Sequence, residues 1–205
     1  MIYIRAGLYA EGASDYRFLL PVITRTLQEI APAALPSLPE IADTIGIDAP
    51  APAPQSRADR IAAAVHEYWG DCTLFVVHGD ANGDHVRALE ERVQPGIERV
   101  LSQHADAAIV PCMPVRAVES WMLCDPGVFG NLFGKTPTLP ENPESIAEPK
   151  PLLAKILGEL SADSRRLRDY QTFFGANVDL AVLRTLASFR AFEQRLQGAL
   201  QTLCR

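Results

Sequence analysis

Residues 74–85, LFVVHGDANGDH, place two carboxylates and an amide directly after an unbroken apolar run, Leu74 to Val77. The group is Asp80, Asn82 and Asp84, and clustered oxygen ligands of this kind suit a hard cation such as Mg²⁺. The same residue types also build turns, and Asp84 could simply cap the helix that follows. Two further carboxylates stand in comparable places. Glu11 follows the β-rich run Ile2 to Tyr9, and Glu119 follows AAIVPCMPV, residues 107–115. If the three runs are parallel strands, Glu11, Asp80, Asp84 and Glu119 meet at one sheet edge. Two like charges about 4 Å apart repel by roughly 4 kcal/mol at an effective dielectric near 20. A divalent ion or a bound proton must then offset the repulsion. Mg²⁺ held by a few carboxylates and completed by water is the usual arrangement for phosphate chemistry. Simpler roles stand beside this one. Glu11 could be a charge favoured by the dipole of the following helix. Glu119 lies in PVRAVESWML, where a buried carboxylate needs a partner, and Arg116 three residues earlier could supply it. His78 reads as a strand-end residue bonded to backbone, since oxygen suits Mg²⁺ better than nitrogen does.

The elements that must position these residues follow from periodicity. Ile2 to Tyr9 predicts a first strand, then the loop AEGAS, with Ser14 as a good N-cap. Phe18, Leu19, Val22, Ile23, Leu27 and Ile30 form one helical stripe, with Pro21 as a mild conflict. Residues 32–54 are rich in Pro and Ala and predict a loop excursion outside the core. Helix resumes over 55–68. A strand at 72–77 ends in the acidic loop; its short apolar run suits burial on both faces. Val86 to Gln103 predicts a helix interrupted by Pro95, and 107–115 a third strand whose prolines suggest an edge. Short helices follow at 118–123 and 128–133, then helical segments at 151–160 and 178–203. The alternation predicts an α/β fold: a mostly parallel sheet flanked by helices, with a helical C-terminal segment from about residue 150, in a single domain over 1–205. Ligands of such sheets bind beyond the carboxyl ends of the strands.

Composition narrows the function classes. The chain has 205 residues, 48% hydrophobic and 21% charged, with a net charge of −6. That acidity argues against a broad nucleic-acid-coating surface but leaves room for a local basic groove. No apolar run is long enough to span a membrane, and MIYIRAGLY lacks the pattern of a secretory signal. Cys72, Cys112, Cys124 and Cys204 are scattered in apolar contexts and read as buried free thiols, so the expected location is cytoplasmic.

Three stretches resemble a known family. LYAEGASDYRFL, PVRAVESWMLCDP and VDLAVLRTLASFRAFEQRL are similar to a Toprim-like family known as domain of unknown function 4276. That family is related to the Toprim domains of topoisomerases, bacterial primases and OLD-family nucleases. The resemblance implies a Toprim-like fold and a divalent-metal site binding Mg²⁺ or Mn²⁺. It implies that Glu11 acts as general acid/base and that Asp80 is the first member of the metal-binding Asp pair. The second member falls on Asn82, so either Asn82 supplies a neutral oxygen or Asp84 takes its place. Glu119 matches the family's own Glu and joins as a ligand or a nearby support.

The expectation is a Mg²⁺-dependent nuclease or phosphodiesterase acting on nucleic acid, with an associational link to prokaryotic anti-phage defence. Its metal residues would be Glu11, Asp80, Asp84 and Glu119. Its phosphate-contacting cations would be Arg165, Arg166 and Arg168, with Lys150, Lys155 and Arg184 as further candidates. The alternative is a non-catalytic module that binds a nucleotide or a partner protein such as an ATPase.

Overall fold

The N-terminal β-rich run divides at Arg5 into two strands that serve different sheets. In the computed structural model, which describes residues 2–160 and 169–203 with the side chain of residue 85 excepted, β1 (Ile2–Ile4) and β2 (Ala6–Tyr9) take separate partners. β1 pairs in parallel with β3 (Pro39–Ile41). β2 pairs in parallel with β4 (Ile45–Gly46) on one side and β5 (Leu74–His78) on the other. β6 (Ile109–Cys112) completes a four-stranded sheet of order β4-β2-β5-β6. The expected single strand over Ile2 to Tyr9 is thus two. The Pro/Ala-rich segment is not wholly outside the core either. It supplies β3 and β4, and it buries Thr44 and Ile47. Pairings of three and two residues are too short to leave a period in the sequence.

Ten α-helices occur among the described residues. They are α1 (Ala13–Ala34), α2 (Arg57–Glu67), α3 (His85–Ala88), α4 (Gln94–Gln103), α5 (Glu119–Met122), α6 (Pro126–Phe133), α7 (Pro149–Leu160), α8 (Tyr170–Asn177), α9 (Leu180–Leu183) and α10 (Ala187–Thr202). Between α3 and α4 the chain makes a π-turn, Leu89–Val93. Pro95, in the first turn of α4, has no N–H to give to a preceding carbonyl, so the single helix expected over Val86 to Gln103 cannot wind uniformly. Pro21 lies inside α1 without ending it. Gly12, not Ser14, caps α1, and its N–H donates to Asp15 Oδ2 at 3.0 Å.

Alternation along β5 explains its apolar run. Leu74 and Val76 enter one core, while Phe75 and Val77 enter the other. Both faces are covered, as parallel sheets require. The larger core takes α1 and residues of α5 through α10, so the C-terminal helical segment is built into the main body. Trp121, Phe189 and Phe192 pack together there, and Trp121 Nε1 donates to Ser188 Oγ at 2.8 Å. The smaller core is made with α2 and α4. The helix after β2 and the helices after β5 therefore lie on opposite faces. The carboxyl ends of β2 and β5 are thus a topological switch point, the place where doubly wound sheets hold their ligand crevice. Among the described residues no helix is long and apolar enough to cross a membrane.

Candidate functional site

The loop after β5 is fixed by backbone bonds to the last residue of β6 and the chain just beyond it. Gly79 N–H donates to the Cys112 carbonyl at 3.2 Å, Ala81 to Pro114 at 3.3 Å, Asn82 to Arg116 at 3.1 Å and Gly83 to Val115 at 2.8 Å. Asn82 (φ 50°) and Gly83 (φ 87°) are left-handed, and these two residue types tolerate that conformation. The loop holds Asp80 over the crevice, 9% exposed. Its Oδ2 lies 3.3 Å from Lys150 Nζ, on the first turn of α7, and its Oδ1 lies 3.4 Å from His78 Nε2.

His78 is fully buried, and its Nδ1 lies 3.1 Å from the Cys112 carbonyl. A carbonyl only accepts, so Nδ1 carries a proton. Nε2 then faces Asp80 and, at 3.8 Å, Asp15 Oδ2. A lone pair aimed at two carboxylates is unfavourable, so the imidazolium is the favoured form. Burial alone would lower the His78 pKa. The Asp80 carboxylate, the Cys112 bond and, more weakly, Asp15 together outweigh it and move the pKa up to about 10.

Burial also works against the charge of Asp80, yet His78 and Lys150 together hold its pKa below the ordinary value. Asp15 and Glu119 shift the other way. Burial raises both, and the neighbouring carboxylates add to it, with His78 opposing at Asp15 and Lys150 opposing at Glu119. At Lys150 partial burial would lower the pKa, but Glu119 and Asp80 more than compensate. Asp15, Asp80 and Glu119 thus form one electrostatic cluster with His78 and Lys150. Glu119 is 8% exposed at the start of α5, and its Oε2 has no hydrogen-bond partner.

Glu11 sits at the same edge in a different company. Arg57 Nη1 lies 3.0 Å from its Oε1, and Arg92 Nη2 donates to both oxygens at 2.7 and 2.8 Å. Arg92 Nη1 also donates to the Asp80 carbonyl at 3.1 Å, which links Glu11 to the acidic loop through one guanidinium. Asp84 is exposed and accepts from Arg87 N–H at 3.0 Å, so it caps α3. Of the four carboxylates singled out in the sequence, Asp80 and Glu119 share a cluster, Glu11 is held by two arginines, and Asp84 faces outward. Arg116 does not meet Glu119 in any described contact; its Nη1 lies 3.4 Å from the Asn82 carbonyl. Beside it a cavity of about 230 Å³ is lined by Asn82, Arg116, Glu148 and Lys150, among others.

Lys150, named in the sequence among the phosphate-contacting candidates, is at the site. Lys155 is at neither carboxylate group: it pairs with Glu159, and Arg184 pairs with Glu29 and Glu193. Arg165, Arg166 and Arg168 lie outside the described residues. Asp15, Arg57 and Arg92 were not singled out. Asp15 offered one signal, a carboxylate three residues after a glycine that opens a helix.

Among the described residues no three His, Cys, Asp or Glu side chains are gathered closely enough to hold a metal. Mg²⁺, however, commonly uses one or two protein carboxylates and keeps several waters. Glu119 Oε2 is buried and lacks a hydrogen-bond partner, while Asp80 Oδ1 faces the His78 ring at 3.4 Å. The residues fit such a sparse site, with Lys150 as the competing cation, and do not fit a full protein cage.

The chain was compared with protein-family models, with curated proteins and with solved structures, and none of the three comparisons gave a match.

Proposed function

We propose that the chain is a Toprim-like, Mg²⁺- or Mn²⁺-dependent phosphodiesterase that acts on nucleic acid in the crevice between β2 and β5. The observation that supports this reading is the meeting of Asp15, Asp80 and Glu119 around Lys150, with Glu119 Oε2 buried and without a hydrogen-bond partner. Asp80 and Glu119 would hold the ion, which supplies Lewis acidity and an acidified water when bound. Lys150 is more than half exposed at its side chain and is placed to meet a phosphate oxygen. Burial raises the Glu119 pKa, so taking up the ion there would displace a proton. His78 keeps Asp80 ionised from beneath. The proposed setting, prokaryotic anti-phage defence, comes from the family resemblance alone.

One observation favours a second reading. Both oxygens of Glu11, the expected general acid/base, already accept from Arg92. A non-catalytic module that binds a nucleotide or an ATPase partner would need no unpaired carboxylate there.

The test has two stages. Millimolar Mg²⁺ or Mn²⁺ should raise the melting temperature; saturation a hundredfold above Kd adds about 2.7 kcal/mol of stability. Asp80→Asn should remove the shift. Metal-dependent nicking of plasmid DNA or cleavage of RNA, lost in Glu119→Gln, supports the enzyme. Metal binding without cleavage of either supports the module. No shift with either ion overturns the metal site.

A further inference from the structure

We propose that Arg57 and Arg92 form a phosphate-binding clamp that Glu11 occupies as an internal stand-in for the ligand. The inference takes its ligand class from the phosphodiester reading above, but its geometry is independent of any metal. Arg57 does not rely on Glu11 for its position. Its Nε donates to the Arg92 carbonyl at 2.8 Å and its Nη2 to the His78 carbonyl at 2.8 Å. Its guanidinium also lies over the Tyr9 ring, 5.6 Å from the centroid. Arg92 is held by the Asp80 carbonyl and by the π-turn that carries it. Each arginine therefore turns one already oriented nitrogen toward the same point, and the Glu11 carboxylate fills that point.

Two fixed guanidinium groups converging on one anion suit a phosphate better than a carboxylate, because phosphate offers more acceptor oxygens to the forks. The site is accessible. Side-chain exposure is 27% for Glu11, 22% for Arg57 and 34% for Arg92. A cavity of about 400 Å³ opens beside it, lined by Tyr9, Glu11, Asp48, Arg57 and Arg60, among others. Glu11 is thus an occupant that a phosphate group must displace.

Two probes test this in EDTA: a fluorescent single-stranded deoxyoligonucleotide and inorganic phosphate alone. Both are titrated into the full chain. Removing the occupant's charge with Glu11→Gln should tighten binding about tenfold, the change expected when a charge-assisted contact no longer has to be displaced. Adding Arg92→Ala to that variant should reverse the gain, and Arg92→Ala alone should weaken oligonucleotide binding. A gain with both probes identifies a site for any phosphate; a gain with the oligonucleotide alone identifies a site for the diester. Equal or weaker binding by Glu11→Gln with both probes overturns the clamp. So does a gain that survives Arg92→Ala, or unchanged binding in Arg92→Ala alone. Because EDTA removes divalent ions, a missing metal site leaves these outcomes intact.

Discussion

His78 Nε2 faces Asp80 Oδ1 across 3.4 Å of buried space, while the opposite ring nitrogen is committed to the Cys112 carbonyl. The pair makes the imidazolium a structural cation. Its folded pKa, about 10, lies above the ordinary histidine value of 6.5. The stability it contributes is fully present below about pH 6.5 and is lost as pH rises through about 10. The wild-type melting temperature should therefore fall more steeply between about pH 7 and pH 10 than that of His78→Gln. Equal alkaline slopes would show that the ring is neutral at physiological pH.

Lys150→Met removes the ammonium that faces Asp80 and Glu119. Because the lysine side chain is more than half exposed, the loss of stability in EDTA should stay within about 1 kcal/mol. The melting shift caused by Mn²⁺ should then exceed that of the wild type, since the ion no longer competes with a resident charge. The same shift in both proteins would place Lys150 outside the ion's reach.

Gly175 lies where α8 crosses α1. A Cβ at that position would come within 2.2 Å of the Phe18 carbonyl oxygen and 2.7 Å of Pro21 Cγ. Backbone cannot step aside as a flexible side chain can. Gly175→Ala should cost about 1–3 kcal/mol. Thermal denaturation would read this as a fall of roughly 2–4 °C for each kcal/mol. An unchanged melting temperature would mean that the two helices slide apart without cost.

Ser188 joins two elements at once. Its hydroxyl accepts from Trp121 Nε1 and donates to Glu144, whose carboxylate also accepts from the Ala187 and Ser188 N–H groups at the start of α10. Ser188→Ala leaves the buried indole N–H without a partner and should cost about 1–3 kcal/mol. Trp121→Phe combined with Ser188→Ala should be less destabilising than the sum of the single changes. Strict additivity would argue that the indole bond contributes nothing.

The residues show why some of this was legible beforehand. β5 could be read because both its faces are buried, so four apolar residues stand together just before the acidic loop. The backbone role of His78 followed from its place at the strand end. β3 and β4 could not be read, because two or three residues pairing with a distant strand leave no repeating pattern. Nor could the division of the carboxylates. Whether Glu11 meets Asp80 or two arginines depends on where α2 and the π-turn come to rest, and side-chain type does not encode that. Asp15 stands in the first turn of an amphipathic helix, and only folding sets it against His78.

The π-turn at Leu89–Val93 winds more residues into its loop of backbone than regular helix would. Each residue of regular helix advances the azimuth by about 100°. The compass bearing of Arg92 is consequently governed by the length of this short stretch as much as by its composition. A deletion of one residue there would swing the guanidinium off Glu11 while preserving every charge in the neighbourhood.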